Sequence, residues 1–305
     1  MAKNKNVIIK NRNKANPRHI FVDILVYILL IALVLIWTFP LVWMVANAFR
    51  ANGPDGAPAV GSYFTTIFPE YWTTANFTEM FEARQQDVFD ITQMFTNTLF
   101  VAIFSMIIGT SLVVAVSFVM SRRRFKSKNV LVQGSMILGL FPGFMSMIAI
   151  YHMLKAFGLL EGRLVLIGLI LTYSAGAGAG FLLLRGYMDS IPYDLDEAAI
   201  IDGATQWQIF TKIIIPLSKP MIVYQVLTSF LGPWLDFITA NVIIGPSSEQ
   251  WTLPIGLFRM VSEAYINTWY ANFLAASILI IIPIGTLTII MQRFYNQGIG
   301  GAVKG

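Results

Sequence analysis

The sequence predicts an all-α polytopic membrane protein with six transmembrane helices and both termini in the cytoplasm. Of its 305 residues, 56% are hydrophobic and only 12% are charged, and a mean hydropathy of +0.67 is too high for an ordinary soluble domain. Six apolar segments are each long enough to cross a bilayer. They cover residues 20–48, 96–120, 130–156, 163–187, 221–244 and 270–294.

The distribution of positive charge predicts how these helices are oriented. Lys and Arg concentrate in the cytoplasmic loops of membrane proteins, most reliably where the loops are short. With both termini inside, the inner segments hold 16 of the 21 Lys and Arg residues, and the short loop SRRRFKSKN alone holds five. This orientation gives a basic cytoplasmic leader at 1–19, a transmembrane domain at 20–294 and a cytoplasmic tail at 295–305.

The composition also excludes several kinds of site. The chain has no cysteine and only two histidines, so neither a thiol-ligated metal nor a histidine metal site is expected. The leader is basic, but an apolar span follows it directly, which favours anionic lipid over nucleic acid as its partner. That span is too long for the apolar core of a secretory signal, so we interpret it as a retained helix.

The remaining spans contain prolines and glycines with predictable roles. Pro40, Pro142, Pro233 and Pro283 interrupt apolar segments, and we interpret them as tolerated kinks rather than hinges. Gly176 and Gly180 form a G-x-x-x-G pattern within SAGAGAG, which suits close packing against a partner helix. On the outside, a loop at about 50–95 begins with ANGPDGAP and is long enough to form an ordered surface.

The inner loop at about 191–220 is unusually acidic for this chain. Asp194 and Glu197 have the spacing of a capping box, and Gly203 suits the end of the helix that they begin. Thr205 and Gln208 form a second such pair, and Pro216 closes the second helix. The sequence therefore predicts two short helices around Gly203, both outside the membrane.

The second of these helices is predicted to be amphipathic. Trp207, Phe210 and Ile214 fall at i, i+3 and i+7, with Ile213 beside them, and predict an apolar stripe that packs on the bundle. Packing does not explain the acids of the first helix, and interfacial helices are usually rich in Lys and Arg instead. The pair is therefore expected to dock to a cytoplasmic partner.

This loop resembles the EAA loop of ABC-importer permeases. The residues that match are Glu197, Ala198, Ala199, Asp202, Gly203 and Ala204, followed by Phe210, Ile213 and Pro216. The stretches PLVWMVANAFR, SFLGPWLDF, TLPIGL and QRFYNQGIGGAVKG are similar to the carbohydrate-uptake subgroup, and within it to the MalG-type permeases of maltose/maltodextrin importers. Leu235 departs from that pattern, because the subgroup usually has Asn there.

The resemblance implies a transport subunit of an ATP-driven sugar importer in the bacterial cell membrane, with an oligosaccharide such as maltodextrin as cargo. It implies three partners besides lipid: a second, MalF-type permease, a pair of ATPase subunits and an extracytoplasmic sugar-binding protein. The matching loop residues would dock to the ATPase. The tail would also reach it, through Gly298, Gly300, Gly301 and Lys304. The sequence has no G-x-x-x-x-G-K-[ST] motif, so we expect no enzyme activity and no bound cofactor here, with ATP and Mg²⁺ used by the partner.

A sugar path should offer aromatic faces and neutral hydrogen-bonding groups. The candidates are Tyr151, Tyr173, Tyr224, Gln225 and Asp236. Asp236 is the one acid deep within a predicted span, and it either meets sugar hydroxyls or is hydrogen-bonded to fix span five.

Two functions of other classes stay open. A self-sufficient secondary carrier needs internal inverted repeats and usually intramembrane charges, and Asp236 alone is weak support for it. An integral membrane enzyme needs a catalytic constellation, and the sequence shows no convincing one.

Overall fold

The computed structural model describes residues 17–61, 66–82, 89–176 and 180–302, and within these ranges the chain is helical without a β-strand. Most of the predicted leader, Lys304 and residues 177–179 of SAGAGAG lie outside the described residues. The helices are α1 Pro17–Ala48, α2 Ala75–Glu82, α3 Ile91–Arg122, α4 Lys128–Leu138, α5 Gly143–Ala156, α6 Leu164–Gly176, α7 Phe181–Asp189, α8 Asp194–Ile201, α9 Gln206–Leu217, α10 Lys219–Leu235, α11 Ile238–Ile244, α12 Leu253–Met260 and α13 Ile266–Ala302.

Four segments are long and apolar enough to cross a membrane as single spans, and one of them, Leu164–Asp189, includes residues 177–179, which lie outside the described residues. They are Phe21–Ala48, Ile91–Arg122, Leu164–Asp189 and Ile266–Gln292, and they correspond to predicted spans one, two, four and six. Pro40 and Pro283 lie inside two of these helices without ending them, because neighbouring groups in a membrane helix can satisfy the carbonyls that a proline frees. The last helix also continues beyond the predicted end of span six, to Ala302.

Predicted span three is a bent pair of helices instead of one straight helix. α4 and α5 meet at an angle of 105°. Pro142, just before α5, is extended, with φ −57° and ψ 128°. A proline cannot donate the hydrogen bond that would continue a helix, and it disfavours helical geometry in the residue before it. The pair therefore forms either a broken span or a re-entrant segment.

Predicted span five is also wrong as a single helix from 221 to 244. α10 ends at Leu235, and α11 begins afresh at Ile238. Asp236 between them is extended, with φ −94° and ψ 105°, and its Oδ1 accepts a hydrogen bond from the Thr239 backbone N–H at 2.9 Å. The segment before it is bent too, because α9 and α10 meet at 80°. With each bent pair counted as one span, the described chain has up to six spans.

The bundle is organised around α3, which packs against α6, α7 and α10. One apolar core lies along the N-terminal half of α3 and includes Met94, Trp234 and Leu253. A second core lies at its C-terminal end and includes Phe118 and Leu184. By contrast, the most apolar stretch of α1 is not buried within the chain at all, which is the expected condition of a helix that faces lipid or another membrane subunit.

The predicted outer loop at about 50–95 is ordered in the parts that the structure describes. Asn76 on α2 is fully buried, and its Nδ2 donates to the carbonyls of Ala48 and Arg50 at 2.9 Å each. Asn272 on α13 donates in turn to the Asn76 carbonyl at 3.3 Å. These bonds tie the loop to the ends of α1 and α13, so it forms a fixed surface at that end of the bundle.

Candidate functional site

The first helix of the acidic loop, α8, starts differently from the prediction. Its N-cap is Tyr193 and not Asp194, and no side chain caps it, so the predicted capping box with Glu197 is wrong. The Tyr193 carbonyl accepts hydrogen bonds from the backbone N–H groups of Asp196 and Glu197, which places Asp194 inside the first turn. Three acids therefore lie in that turn, where the helix dipole stabilises negative charge.

The end of α8 follows the prediction closely. Gly203 has φ +82°, in the left-handed region that favours glycine. Its N–H donates to the Ile200 carbonyl at 3.0 Å, and the Ala204 N–H donates to the Ala199 carbonyl at 2.8 Å. This pair of bonds is a Schellman motif, which satisfies the last carbonyls of the helix. A Cβ added at Gly203 would have no described atom within 4 Å, so this position faces open space.

The second helix, α9, begins at the capping box that the sequence predicts. The Thr205 N–H donates to the Gln208 side-chain oxygen at 2.7 Å, and the Gln208 N–H donates to Thr205 Oγ1 at 3.3 Å. The helix ends at Leu217, one residue beyond Pro216. Both boundaries come from local sequence signals, and both are confirmed.

The apolar stripe of α9 is only partly where periodicity places it. Trp207 is 69% exposed, whereas Ile209 and Ile214 are buried and Phe210 packs on Phe118 with ring centroids 4.7 Å apart. The middle of the helix, Ile209–Ile214, is a π-helix. The wider π turn brings residues five apart onto one face, so the unpredicted Ile209 is buried together with the predicted Ile214, whereas Trp207 is exposed.

The outward side of α8 and α9 forms a mixed acidic and apolar patch, which we call the coupling surface. It contains the exposed residues Glu197, Ile201, Asp202, Gly203 and Trp207, and Ile201 is 85% exposed. Of the other predicted docking residues, Ala198 and Pro216 are exposed, and Ala199, Ala204, Phe210 and Ile213 are half-buried. A shallow cavity of about 320 Å³ lies at the turn, lined by Asp202, Gly203, Ala204, Gln208, Lys212 and Ile213.

Sequence reasoning missed the contacts that hold α8 in place. Arg122 belongs to the basic loop SRRRFKSKN, whose charge predicts the orientation of the spans. Its Nε lies 3.1 Å from Asp196 Oδ2. Its guanidinium carbon lies 4.4 Å from the centroid of the Tyr193 ring, a cation–π distance. Burial raises the pKa of Asp196, and the nearby Arg122 charge partly opposes that shift. No local pattern links residues so far apart in the chain.

A polar cleft of about 280 Å³ lies between α6–α7 and α10. Three predicted path residues, Tyr173, Tyr224 and Gln225, line it together with Gly176, Gly180, Leu183, Thr228, Ser229 and Gly232. Gln225 is only 7% exposed and donates to Ser229 Oγ at 2.9 Å. A Cβ at Gly180 would lie 2.6 Å from Gln225 Oε1, so glycine at 180 leaves room for this amide.

The other two path candidates do not line this cleft. Tyr151 lies on α5, where its ring contacts His152. Asp236 lies at the break between α10 and α11 and holds the start of α11 through its bond to Thr239. The buried Tyr173 hydroxyl is near the Asp236 carboxylate but forms no hydrogen bond of normal geometry with any described group. These positions support the structural interpretation of Asp236.

The predicted docking residues of the tail are described only in part. The backbone of α13 continues through Gly298, Gly300 and Gly301, so this stretch is helical. Lys304 lies outside the described residues. The docking role of the tail stays a prediction.

Comparison with known proteins gives a consistent result across the chain. The family described as "Binding-protein-dependent transport system inner membrane component" matches residues 107–301. The galactooligosaccharides transport system permease protein GanQ of Bacillus subtilis is 32% identical to this chain, covering 92% of it and 94% of GanQ. The maltodextrin transport system permease protein MdxG of the same organism is 28% identical, covering 92% and 95%. The maltose/maltodextrin permease MalG of Yersinia pestis is 27% identical, covering 92% of each chain.

A solved structure shares the fold. A chain of a bacterial ABC transporter involved in the import of the acidic polysaccharide alginate superimposes with a TM-score of 0.66 at 18% identity, covering 92% of this chain and 98% of that chain. GanQ is more similar in sequence than this MalG, so the predicted MalG-type assignment is not confirmed.

Proposed function

The chain belongs to the family of binding-protein-dependent transport system inner membrane components, and we propose that it is a membrane permease subunit of an ATP-driven oligosaccharide importer. The observation that carries this proposal is the coupling surface, which the exposed residues of the short helices α8 and α9 form around the turn at Gly203. This surface combines exposed acids with exposed large apolar side chains, a combination suited to a protein partner.

The partner of the coupling surface, in this proposal, is a separate ATPase subunit. The chain has no phosphate-binding loop of its own, so energy from ATP has to arrive through a contact. α8 ends in a fixed turn at Gly203, and α9 is capped at Thr205, so the two helices form one preorganised unit. In this proposal, Glu197 through Gly203 bind in a cleft of the ATPase. When the ATPase closes on ATP, it can therefore displace both helices together. The chain uses no cofactor itself, and the ATPase uses ATP and Mg²⁺.

The same proposal includes two further partners and a second contact with the ATPase. A second permease, of the MalF type that the sequence resemblance implies, covers apolar surface that the chain does not bury itself, such as that of α1. An extracytoplasmic sugar-binding protein meets the ordered loop tied down by Asn76. The tail around Gly298 extends toward the ATPase pair. Both termini lie in the cytoplasm, as the charge distribution predicts.

The polar cleft supports a sugar as the cargo. Tyr173 and Tyr224 offer aromatic faces, and Gln225, Thr228 and Ser229 offer neutral hydrogen-bonding groups in an otherwise apolar bundle. No carboxylate or cation lines the described cleft, which suits a neutral, hydroxyl-rich solute. We propose that the cleft faces the translocation path and contributes one half of it.

The cargo is proposed to be an oligosaccharide. The names of the compared relatives include galactooligosaccharides for GanQ and maltodextrin for MdxG. Maltodextrin is the cargo that the sequence resemblance implies, and galactooligosaccharides are the first alternative to test beside it.

The test is uptake by the purified importer in vesicles. The chain is co-purified with the second permease and the ATPase of its own organism, and labelled maltotriose and galactotriose are offered with the binding protein. We expect uptake that requires ATP and the binding protein. Uptake by the purified chain alone, driven by a proton or sodium gradient, would instead support the secondary-carrier alternative.

A further inference from the structure

The last turn of α3 and the start of α8 meet in a buried ionic junction. The side chains of Arg122 and Asp196 are 2% and 11% exposed, and their Nε and Oδ2 atoms are 3.1 Å apart. Arg122 Nη2 also donates to the Ile191 carbonyl at 3.0 Å, and its guanidinium lies over the Tyr193 ring. One arginine therefore holds the segment that enters α8 and the first turn of α8 together.

Further contacts join both helices of the coupling surface to the same end of α3. The Tyr193 hydroxyl donates to the Ser121 carbonyl at 2.8 Å, and Ser121 Oγ donates to Asp189 Oδ1 on α7 at 2.6 Å. On the other side, the Phe210 ring of α9 packs at a tilt of 45° against the Phe118 ring of α3. The two helices are thus fastened to α3 at two separate points, one ionic and one aromatic.

The burial of Asp196 and of unpaired polar atoms beside it offsets part of the stability that the ion pair could add. Burial raises the pKa of Asp196, which means that ionising this carboxyl costs the folded state free energy. That cost is absent below the unfolded-state pKa and is fully felt above the folded-state pKa. Arg122 Nε and Nη1 and Asp196 Oδ1 are also buried without a hydrogen-bond partner among the described residues, so the 3.1 Å contact between Nε and Oδ2 is an ion pair without hydrogen-bond geometry. Burying a polar atom without a partner is unfavourable, and buried ion pairs often stabilise a fold no more than apolar side chains of equal volume do.

What the junction does provide is a fixed geometry between α8 and α3. α3 packs against α6, α7 and α10, and these helices carry the walls of the polar cleft. A displacement of α8 that carries α3 with it therefore reaches both walls of the cleft. A flexible connection at this point would let α8 tilt without moving the spans.

We propose that Arg122 and Asp196 are positioning residues that make α8 and α3 move as one rigid body during coupling. The proposal rests on the proposed function, because it concerns how a movement imposed by an ATPase reaches the spans. The proposed route of movement runs from α8 to α3. The chain itself connects the coupling surface to α7 and α10 instead.

A distance measurement tests this rigidity directly. The chain has no native cysteine, so spin labels can be attached at Asp194→Cys on α8 and Leu112→Cys on α3, both exposed positions. In the complete transporter we expect one narrow distance distribution, unchanged when adenylyl imidodiphosphate binds. We expect the distribution to broaden in the double variant Arg122→Met/Asp196→Leu. A distance that shifts with nucleotide in the parent protein overturns the proposal, and that arm needs no substitution in the junction.

A transport measurement tests whether the rigidity matters. Arg122→Met/Asp196→Leu removes both charges and keeps apolar volume, so the importer should still assemble with its ATPase. We expect sugar uptake per ATP hydrolysed to fall about fivefold or more, the lower end of typical coupling between sites. The matched control is Arg123→Met, which removes an exposed charge one residue away. Parental uptake per ATP in an assembled double variant overturns the proposal.

The outcomes separate this proposal from the function on which it rests. If the parent importer shows no ATP-driven sugar uptake, the proposed function fails, and the label distances still decide whether α8 and α3 form one body. If the parent importer takes up sugar with ATP but the double variant shows the parental distance distribution, the proposed function stands and the junction has no positioning role.

Discussion

Gly203 offers the sharpest test of docking at the coupling surface. Because its φ is +82°, any L-residue there adds backbone strain, and variants that differ only in side-chain size can be compared at equal strain. An L-residue in the left-handed region costs about 1–2 kcal/mol, whatever its side chain beyond Cβ. The position is exposed, and no described atom lies within 4 Å of a Cβ built there, so a side chain leaves the backbone without a clash among the described residues. Gly203→Ala and Gly203→Trp should therefore lower the stability of the isolated permease equally, through the same backbone strain.

The two variants should differ only when an ATPase is docked against the turn. We expect Gly203→Ala to retain most ATP-driven uptake, and Gly203→Trp to lose uptake while the ATPase still hydrolyses ATP or falls off the complex. Gly203→Asn is a useful control, because Asn tolerates left-handed geometry better than Ala. Thermal unfolding of the purified permease, co-purification of the ATPase and uptake in vesicles are the three measurements. Equal uptake by the Ala and Trp variants would refute docking at this turn.

Three further expectations follow from single contacts. Gly180→Ala should force Gln225 aside and reduce sugar uptake, whereas Gly186→Ala on α7, an exposed position that does not line the cleft and whose Cβ meets no described atom within 4 Å, should not; equal uptake by the two variants counts against a role for the cleft. Thr205→Ala should cost about 1 kcal/mol through the lost cap and raise hydrogen exchange at residues 206–208, and unchanged exchange there contradicts the capping box. Asp236→Asn keeps an oxygen that can accept from the Thr239 N–H, so it should match the parent in yield and uptake, while Asp236→Ala lowers the yield; lost uptake at normal yield in the Asn variant indicates a path role instead.

The parts of the fold that the sequence predicts well depend on neighbours in the chain. Spans one, two, four and six are long apolar runs that hydropathy alone locates. The turn at Gly203 and the cap at Thr205 are set by residues within one helical turn of each other. Such signals can be read without knowing the tertiary structure.

The parts that the sequence mispredicts each involve a second factor. Pro142 interrupts an apolar run in the same way as Pro40, yet only Pro142 lies at a break between two helices, and hydropathy does not distinguish the two. The apolar stripe of α9 is predicted from the 3.6-residue period of an α-helix, which includes Trp207. The π turn at Ile209–Ile214 changes that period, and Trp207 is exposed. The path candidates Tyr173, Tyr224 and Gln225 meet in one cleft only because α6 and α10 both pack against α3.

Arg122 shows how one residue can carry a local signal and a tertiary one at once. As part of SRRRFKSKN it contributes to the charge bias that predicts orientation, and its exposed neighbours Arg123 and Arg124 need no other explanation. Its own side chain is buried against Asp196, which the sequence presents only as one more acid at a helix start. The two signals are compatible, because the end of α3 that the charge bias predicts to be cytoplasmic is also the end that contacts the start of α8. A basic loop placed there for topology can therefore also supply the contact that fastens the coupling surface to the spans.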